Sequence, residues 1–132
     1  VSRENVELVR DAVEAWNRAD RSWLDYLAPD VELLPAGPAA VEREVYRGYD
    51  EAAEWYAEVF GRWDVFECTE DGVRDLGDSV LWLGHAKVRG QVSQVELDQP
   101  WAIHCTFVAG KVVLCRTFLS WDEALKAVGL EE

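Results

Sequence analysis

The stretch from Gly77 to Leu119, GDSVLWLGHAKVRGQVSQVELDQPWAIHCTFVAGKVVLCRTFL, decides the fold. Val80 to Val88 reads as one long strand. Val92 to Val108 reads as another, bent near Pro100, and Lys111 to Leu119 as a third. β-Branched and aromatic residues dominate all three, and turn residues separate them. Ala109-Gly110 is a tight turn, and Gly77-Asp78 is a second one leading back to a strand over Val65 to Leu76. Four long strands joined by short turns make an antiparallel meander. Side chains alternate between its two faces. Trp82, Gly84, Ala86 and Val88 share one face, and Leu83, His85, Lys87 and Arg89 the other. Small Gly84 and Ala86 beside bulky Trp82 leave room, so that face is assigned to a cavity.

Helices precede this meander. Val6, Val9, Val13 and Trp16 recur at three- and four-residue steps, the stripe of an amphipathic helix, with Ser2 as its N-cap. That helix should end over Asn17-Arg18-Ala19-Asp20. A short helix from Ser22 to Leu27 stops at Pro29, and Val31 to Leu34 reads as a strand. Pro35 to Glu44, with two prolines and a glycine, reads as a surface loop. Tyr46-Arg47-Gly48 is extended, and Asp50 opens a helix to Gly61 with Ala52, Trp55, Tyr56, Val59 and Phe60 on its apolar side. A last helix covers Trp121 to Val128 and stops at Gly129. The chain is thus a single α+β domain over 1–132. A strongly bent sheet carries three helices on its concave face and a short helix at the C-terminal end.

Composition narrows the function. Net charge is −13, which argues against nucleic acid and anionic membrane partners. No apolar run approaches the roughly 20 residues of a membrane helix. The charged N-terminus does not read as a secretory signal, so a cytoplasmic protein is expected. Cys68, Cys105 and Cys115 lack C-x-x-C spacing and read as reduced, buried thiols. His85 and His104 stand on different strands, so no metal and no cofactor is expected. Seven tryptophans in 132 residues mark either an aromatic core or an aromatic pocket.

Trp16-Asn17-Arg18-Ala19-Asp20, Leu24-Asp25-Tyr26-Leu27-Ala28-Pro29-Asp30-Val31-Glu32 and Tyr46-Arg47-Gly48 resemble the SnoaL-like branch of the nuclear-transport-factor-2-like (NTF2-like) superfamily. So do Gly77-Asp78-Ser79-Val80-Leu81, Gly110-Lys111-Val112-Val113, and Phe118-Leu119-Ser120 with Glu123-Ala124-Leu125. The resemblance spans nearly the whole chain. It implies an α+β cone, often a homodimer through the outer sheet face. It embraces polyketide cyclases, ketosteroid isomerase, limonene epoxide hydrolase, scytalone dehydratase and members without catalysis, so it does not select a reaction. The isomerases' three chemical positions fall near Ala12, at Leu34 or Pro35, and at Ile103. All of these are apolar here, and only a supporting tyrosine is kept, as Tyr56.

The last hairpin decides where His104 points. A two-residue turn at Ala109-Gly110 would pair Phe107 with Val112 and His104 with Cys115. A three-residue turn with Gly110 as the left-handed residue would pair Phe107 with Lys111, Cys105 with Val113 and Ile103 with Cys115. The second is preferred, because alanine is a poor residue at positive φ. It turns Trp101, Ile103, Cys105, Val113, Cys115 and Leu119 toward the cavity, and His104 and Arg116 away from it. A one-residue slip or a bulge would reverse this. Trp23, Trp63 and Trp121, at element ends, are expected to seal helices against the sheet.

Three functional classes fit. The first is a pocket for a small hydrophobic molecule, built from Trp16, Leu33, Trp55, Tyr56, Trp82, Gly84, Ala86, Trp101, Ile103, Cys105, Cys115 and Leu119. The second is a cofactor-independent cyclase, isomerase, hydratase or epoxide hydrolase, with His104 and Tyr56 or a nearby carboxylate as acid and base. The third is a non-catalytic dimerisation module with a filled cone. A homodimer is expected through an outer face left apolar by Leu81, Leu83, Leu114 and Phe118.

Overall fold

The computed structural model describes residues 2–37, 40 and 43–130. The Ser2 side chain, proposed as an N-cap, and four residues of the Pro35–Glu44 loop lie outside them. Helix α1 (Ser2–Asn17) leads into a 3₁₀ helix (Arg21–Tyr26), capped by the Asp20 carboxylate on the Ser22 amide. Strands β1 (Leu27–Leu34) and β2 (Tyr46–Arg47) follow, then helix α2 (Gly48–Arg62). Strands β3 (Trp63–Asp75), β4 (Ser79–Gly90), β5 (Glu96–Val108) and β6 (Lys111–Phe118) form the meander, and helix α3 (Trp121–Ala127) closes it. Elements match the sequence reading in kind and order. Val92 is the exception: it belongs to a turn and is fully exposed, so β5 starts four residues later than expected.

One six-stranded sheet results, in the order β2-β1-β6-β5-β4-β3. The β1–β6 pair is parallel and every other pair antiparallel. Pro100 sits opposite His85 inside an unbroken β4–β5 ladder. It is tolerated because β6 pairs with β5 only from Ala102 onward, leaving Pro100 an edge on that side.

The two faces are buried differently. On the concave side, α1, the 3₁₀ helix and α2 pack over Val31, Leu33, Val80, Trp82, Ala86 and Val88. On the convex side, α3 covers Leu81, Leu83, Ala102 and Phe118 with Ala124, Leu125 and Trp121. Ser120 caps α3 by accepting the Glu123 amide, and Trp121 Nε1 donates to the Gly84 carbonyl (2.9 Å). Leu81, Leu83 and Phe118 are therefore covered within the chain, and the apolar outer face expected to drive dimerisation is not bare at those residues.

Asn17 ties the helical layer to the sheet edge. Its side chain donates to the Cys68 carbonyl (2.8 Å) and accepts the Cys68 amide (2.7 Å). β3 is the terminal strand of the sheet, so this amide supplies at one residue the pairing that a neighbouring strand would give.

Candidate functional site

Two adjoining cavities lie between the helices and the concave face. The inner one is about 70 Å³. The α1 stripe supplies Val9, Ala12, Val13 and Trp16, the 3₁₀ helix Trp23 and Tyr26, and β1 Leu33 and Leu34. The sheet wall is Cys68, Ile103, Cys105, Val112 and Cys115. The outer cavity is about 270 Å³ and reaches Leu119, Trp63 and Phe66, with Glu58, Arg62, Gln99, Tyr46 and Thr117 in its polar lining. Pro35, Trp55, Trp101 and Thr117 border both, so the two chambers share a wall.

Aromatic rings fill much of the cone. The Trp16 ring lies 5.1 Å from Trp23, 5.3 Å from Trp55, 5.9 Å from Tyr56 and 4.9 Å from Phe60. Among the described residues, its indole Nε1 is buried without a hydrogen-bond partner. An unmade buried bond of this kind costs about 1–3 kcal/mol. Trp23 also stacks on Tyr56 at 5.8 Å, and Trp101 meets Phe66 edge-on at 5.2 Å.

Of the residues expected to line a pocket, Trp16, Leu33, Trp55, Trp101, Ile103, Cys105 and Cys115 border the inner chamber, and Leu119 borders the outer one. Tyr56, Trp82, Gly84 and Ala86 border neither. The space beside Gly84 is taken by Trp82 itself, since a Cβ on Gly84 would meet the Trp82 ring at 2.5 Å. The indole is held there by donating to Glu70 Oε1 (3.2 Å), which also accepts from Arg10. Tyr56 is buried among Trp16, Trp23 and Phe60. Burial, then the Asp20 charge, pushes its phenol up, so it stays protonated at neutral pH.

His104 lies opposite Leu81 in the ladder, on the convex side, with Nε2 2.9 Å from Ser79 Oγ. Burial, then the Arg116 charge, pushes its imidazole down. It borders neither chamber, which removes it from any acid–base step inside them. Arg116 stacks over Phe118 at 4.8 Å on the same side. Glu32 and Asp64, carboxylates on β1 and at the start of β3, form exposed ion pairs with Arg47 and Arg89.

The sequence pattern of the SnoaL-like domain matches residues 9–115. The chain belongs to the SnoaL-like domain family. Its fold is that of an NTF2-like protein of unknown function from Burkholderia pseudomallei (TM-score 0.80, 21% identity, 93% of this chain and 95% of that one). A protein from Jannaschia sp. CCS1 named as a SnoaL-like polyketide cyclase follows it with TM-score 0.76 at 20% identity, over 96% of this chain and 89% of that one. A protein of ketosteroid isomerase-like fold from Catenulispora acidiphila, in complex with trimethylamine, gives 0.73 at 16% identity, over 94% and 93%. At these identities the likeness concerns the fold. No curated protein matches the sequence.

Ala12, Leu34, Pro35 and Ile103, the positions to which the resemblance carries the isomerases' chemical groups, all border the inner chamber of this SnoaL-like domain. They face the right place and carry no chemistry. Burial pushes the Cys68 thiol up to about 12, and the hydrogen bond with Cys115, then burial, pushes the Cys105 thiol well above its ordinary value, so neither is a thiolate at neutral pH. Among the described residues, no group of three His, Cys, Asp or Glu could hold a metal ion. Glu58 and Arg62 went unnoticed in the sequence. They stand three and seven residues after Trp55, on the same helical stripe as Val59, and that spacing could have shown them.

Proposed function

We propose that this SnoaL-like domain binds a small, mainly apolar molecule. A narrow apolar end fills the inner chamber, and a broader, partly polar end occupies the outer one. The division of the cavity carries this reading. An apolar cavity of about 150 Å³ holds one benzene; the inner chamber, at about 70 Å³, is under half that size and suits a short alkyl group instead. The outer chamber has room for a ring and offers Glu58, Gln99 and Thr117 to a polar substituent. Apolar residues at the isomerase positions favour holding a ligand over transforming it.

The probe series is 4-alkylcyclohexanols, followed by tryptophan fluorescence. Each added methylene buried contributes about 0.8 kcal/mol, so butyl should bind about 15-fold tighter than ethyl. The gain should stop once the tail outgrows the chamber. Ala12→Leu, which fills the chamber, should abolish the gain and spare binding of cyclohexanol itself. Affinity that ignores tail length, or a gain untouched by Ala12→Leu, would sink the reading.

A catalytic reading would run through Glu58, which borders the outer chamber and accepts a hydrogen bond from Tyr46 Oη (3.0 Å). Glu58→Gln should abolish turnover under the catalytic reading; under the binding reading it should weaken every alkylcyclohexanol by a common factor and leave the about 15-fold ratio of butyl to ethyl in place.

A further inference from the structure

We infer that Cys105 and Cys115 form a redox-active dithiol in the wall of the inner chamber, which low-molecular-weight disulfides oxidise to an internal disulfide joining β5 to β6. Three observations carry this. The two residues are direct partners in the β5–β6 ladder. Their sulfurs are 3.6 Å apart, with Cys105 Sγ donating toward Cys115 Sγ. Both residues border the inner chamber, and Cys115 is half-buried rather than sealed in packing.

The backbone suits the bond. Directly opposed residues of an antiparallel pair have Cα atoms about 4.5–5.5 Å apart, inside the roughly 4.4–6.8 Å that disulfides span. The sulfurs need to close to about 2.05 Å. A register shift between Thr106 and Phe107 lies next to Cys105, where an extra residue on β6 loosens the ladder. Cys68 also borders the chamber but sits on β3, two strands beyond Cys105, and has no sulfur partner among the described residues.

Burial assigns the order of events. Cys105 is 5% exposed and Cys115 is half-buried, so Cys115 meets the reagent first. The Cys115 thiolate attacks one sulfur of R–S–S–R and breaks the S–S bond. RS⁻ leaves and takes up the proton that Cys115 released. Cys105, losing its own proton, then attacks Cys115 Sγ and expels the second RS⁻, which takes that proton. Two protein thiols and one R–S–S–R become one protein disulfide and two R–SH. The inference does not rest on the function proposed above, and its test uses the chain without an added chamber ligand.

The test equilibrates the full chain with bis(2-hydroxyethyl) disulfide at graded ratios to 2-mercaptoethanol. Alkylation under denaturing conditions, intact mass and peptide mapping then read the products. The expected result is the loss of two alkylatable thiols, a mass lower by two hydrogens, and a peptide joining Cys105 to Cys115. Cys68 should remain alkylated, and Cys68→Ser should behave as the parent chain. Cys105→Ser should stop at a mixed disulfide on Cys115, and Cys115→Ser should lose no pair of thiols. A parent chain that keeps three free thiols, accumulates the mixed disulfide with Cys105 free, or links Cys68 instead would overturn the inference.

Discussion

Replacing Gly84 by alanine tests how the concave face is packed. Alanine in a strand normally stabilises by about 0.5–1 kcal/mol relative to glycine, through the unfolded chain. Here the sign should reverse. A Cβ at Gly84 would stand 2.1 Å from the Thr69 carbonyl oxygen and 2.5 and 2.8 Å from Trp82 Cη2 and Cζ3. The ring cannot swing away freely, because Trp82 is 1% exposed and its Nε1 is bonded to Glu70. The carbonyl belongs to the β3 backbone, so relieving that contact moves a strand by more than 1 Å. Overpacking costs about 1–3 kcal/mol where side chains can adjust, and a backbone contact puts this site at or above the upper end, at about 3 kcal/mol. With a urea slope of about 1–3 kcal/mol/M, the midpoint should fall by about 1 M or more. Circular dichroism against urea measures it. Trp82→Leu in the same chain should relieve the ring contact only, so Trp82→Leu/Gly84→Ala should remain less stable than Trp82→Leu alone. A Gly84→Ala midpoint within about 0.3 M of the parent would refute the packing argument.

Asn17→Ala removes both hydrogen bonds to Cys68 and should cost about 1–3 kcal/mol, with faster hydrogen exchange at the Cys68 amide. Asn17→Asp keeps the acceptor and loses the donor, so it should fall between. Because burial lowers the His104 pKa in the folded state, the unfolded chain binds the proton more readily. That stability is present above the ordinary histidine value of about 6.5 and is lost as pH falls through the folded pKa. His104→Gln should flatten the fall in urea midpoint between pH 7.5 and pH 5.5; an unchanged slope would contradict this. Ser120→Ala removes the α3 cap and should cost about 1 kcal/mol by thermal melting, since α3 is the cover over Leu81 and Phe118.

The meander was legible because strand alternation and turn residues act over short range. The last hairpin shows how far that reaches. Ala109 and Gly110 both take positive φ, 52° and 77°, and Phe107 pairs with Val112, so the turn is the two-residue one and the expected three-residue turn is wrong. A left-handed alanine is strained, and the ladder on both sides holds it there. A register shift between Thr106 and Phe107 then displaces the pairing by one more residue, setting Cys105 opposite Cys115. Two one-residue displacements restore the original alternation. Ile103, Cys105 and Cys115 therefore face inward and His104 outward, as expected from the wrong turn, while Val112 replaces Val113 at the chamber.

What stayed illegible concerns which side chain occupies which gap. The sequence shows small residues at Gly84 and Ala86, but only three-dimensional packing shows that Trp82 folds back into the space. Likewise the α2 stripe is plain from spacing, yet Tyr56 points into the Trp16–Trp23–Phe60 cluster while Trp55, one residue earlier, borders both chambers.

The tryptophan cluster also has an optical consequence. Trp16, Trp23 and Trp55 lie within 5.7 Å of one another by ring centroid, close enough for their electronic transitions to couple and for excitation to pass among them. Absorbed light is thus shared by a single multi-ring chromophore that borders the inner chamber. A quencher reaching any one of these rings drains all three.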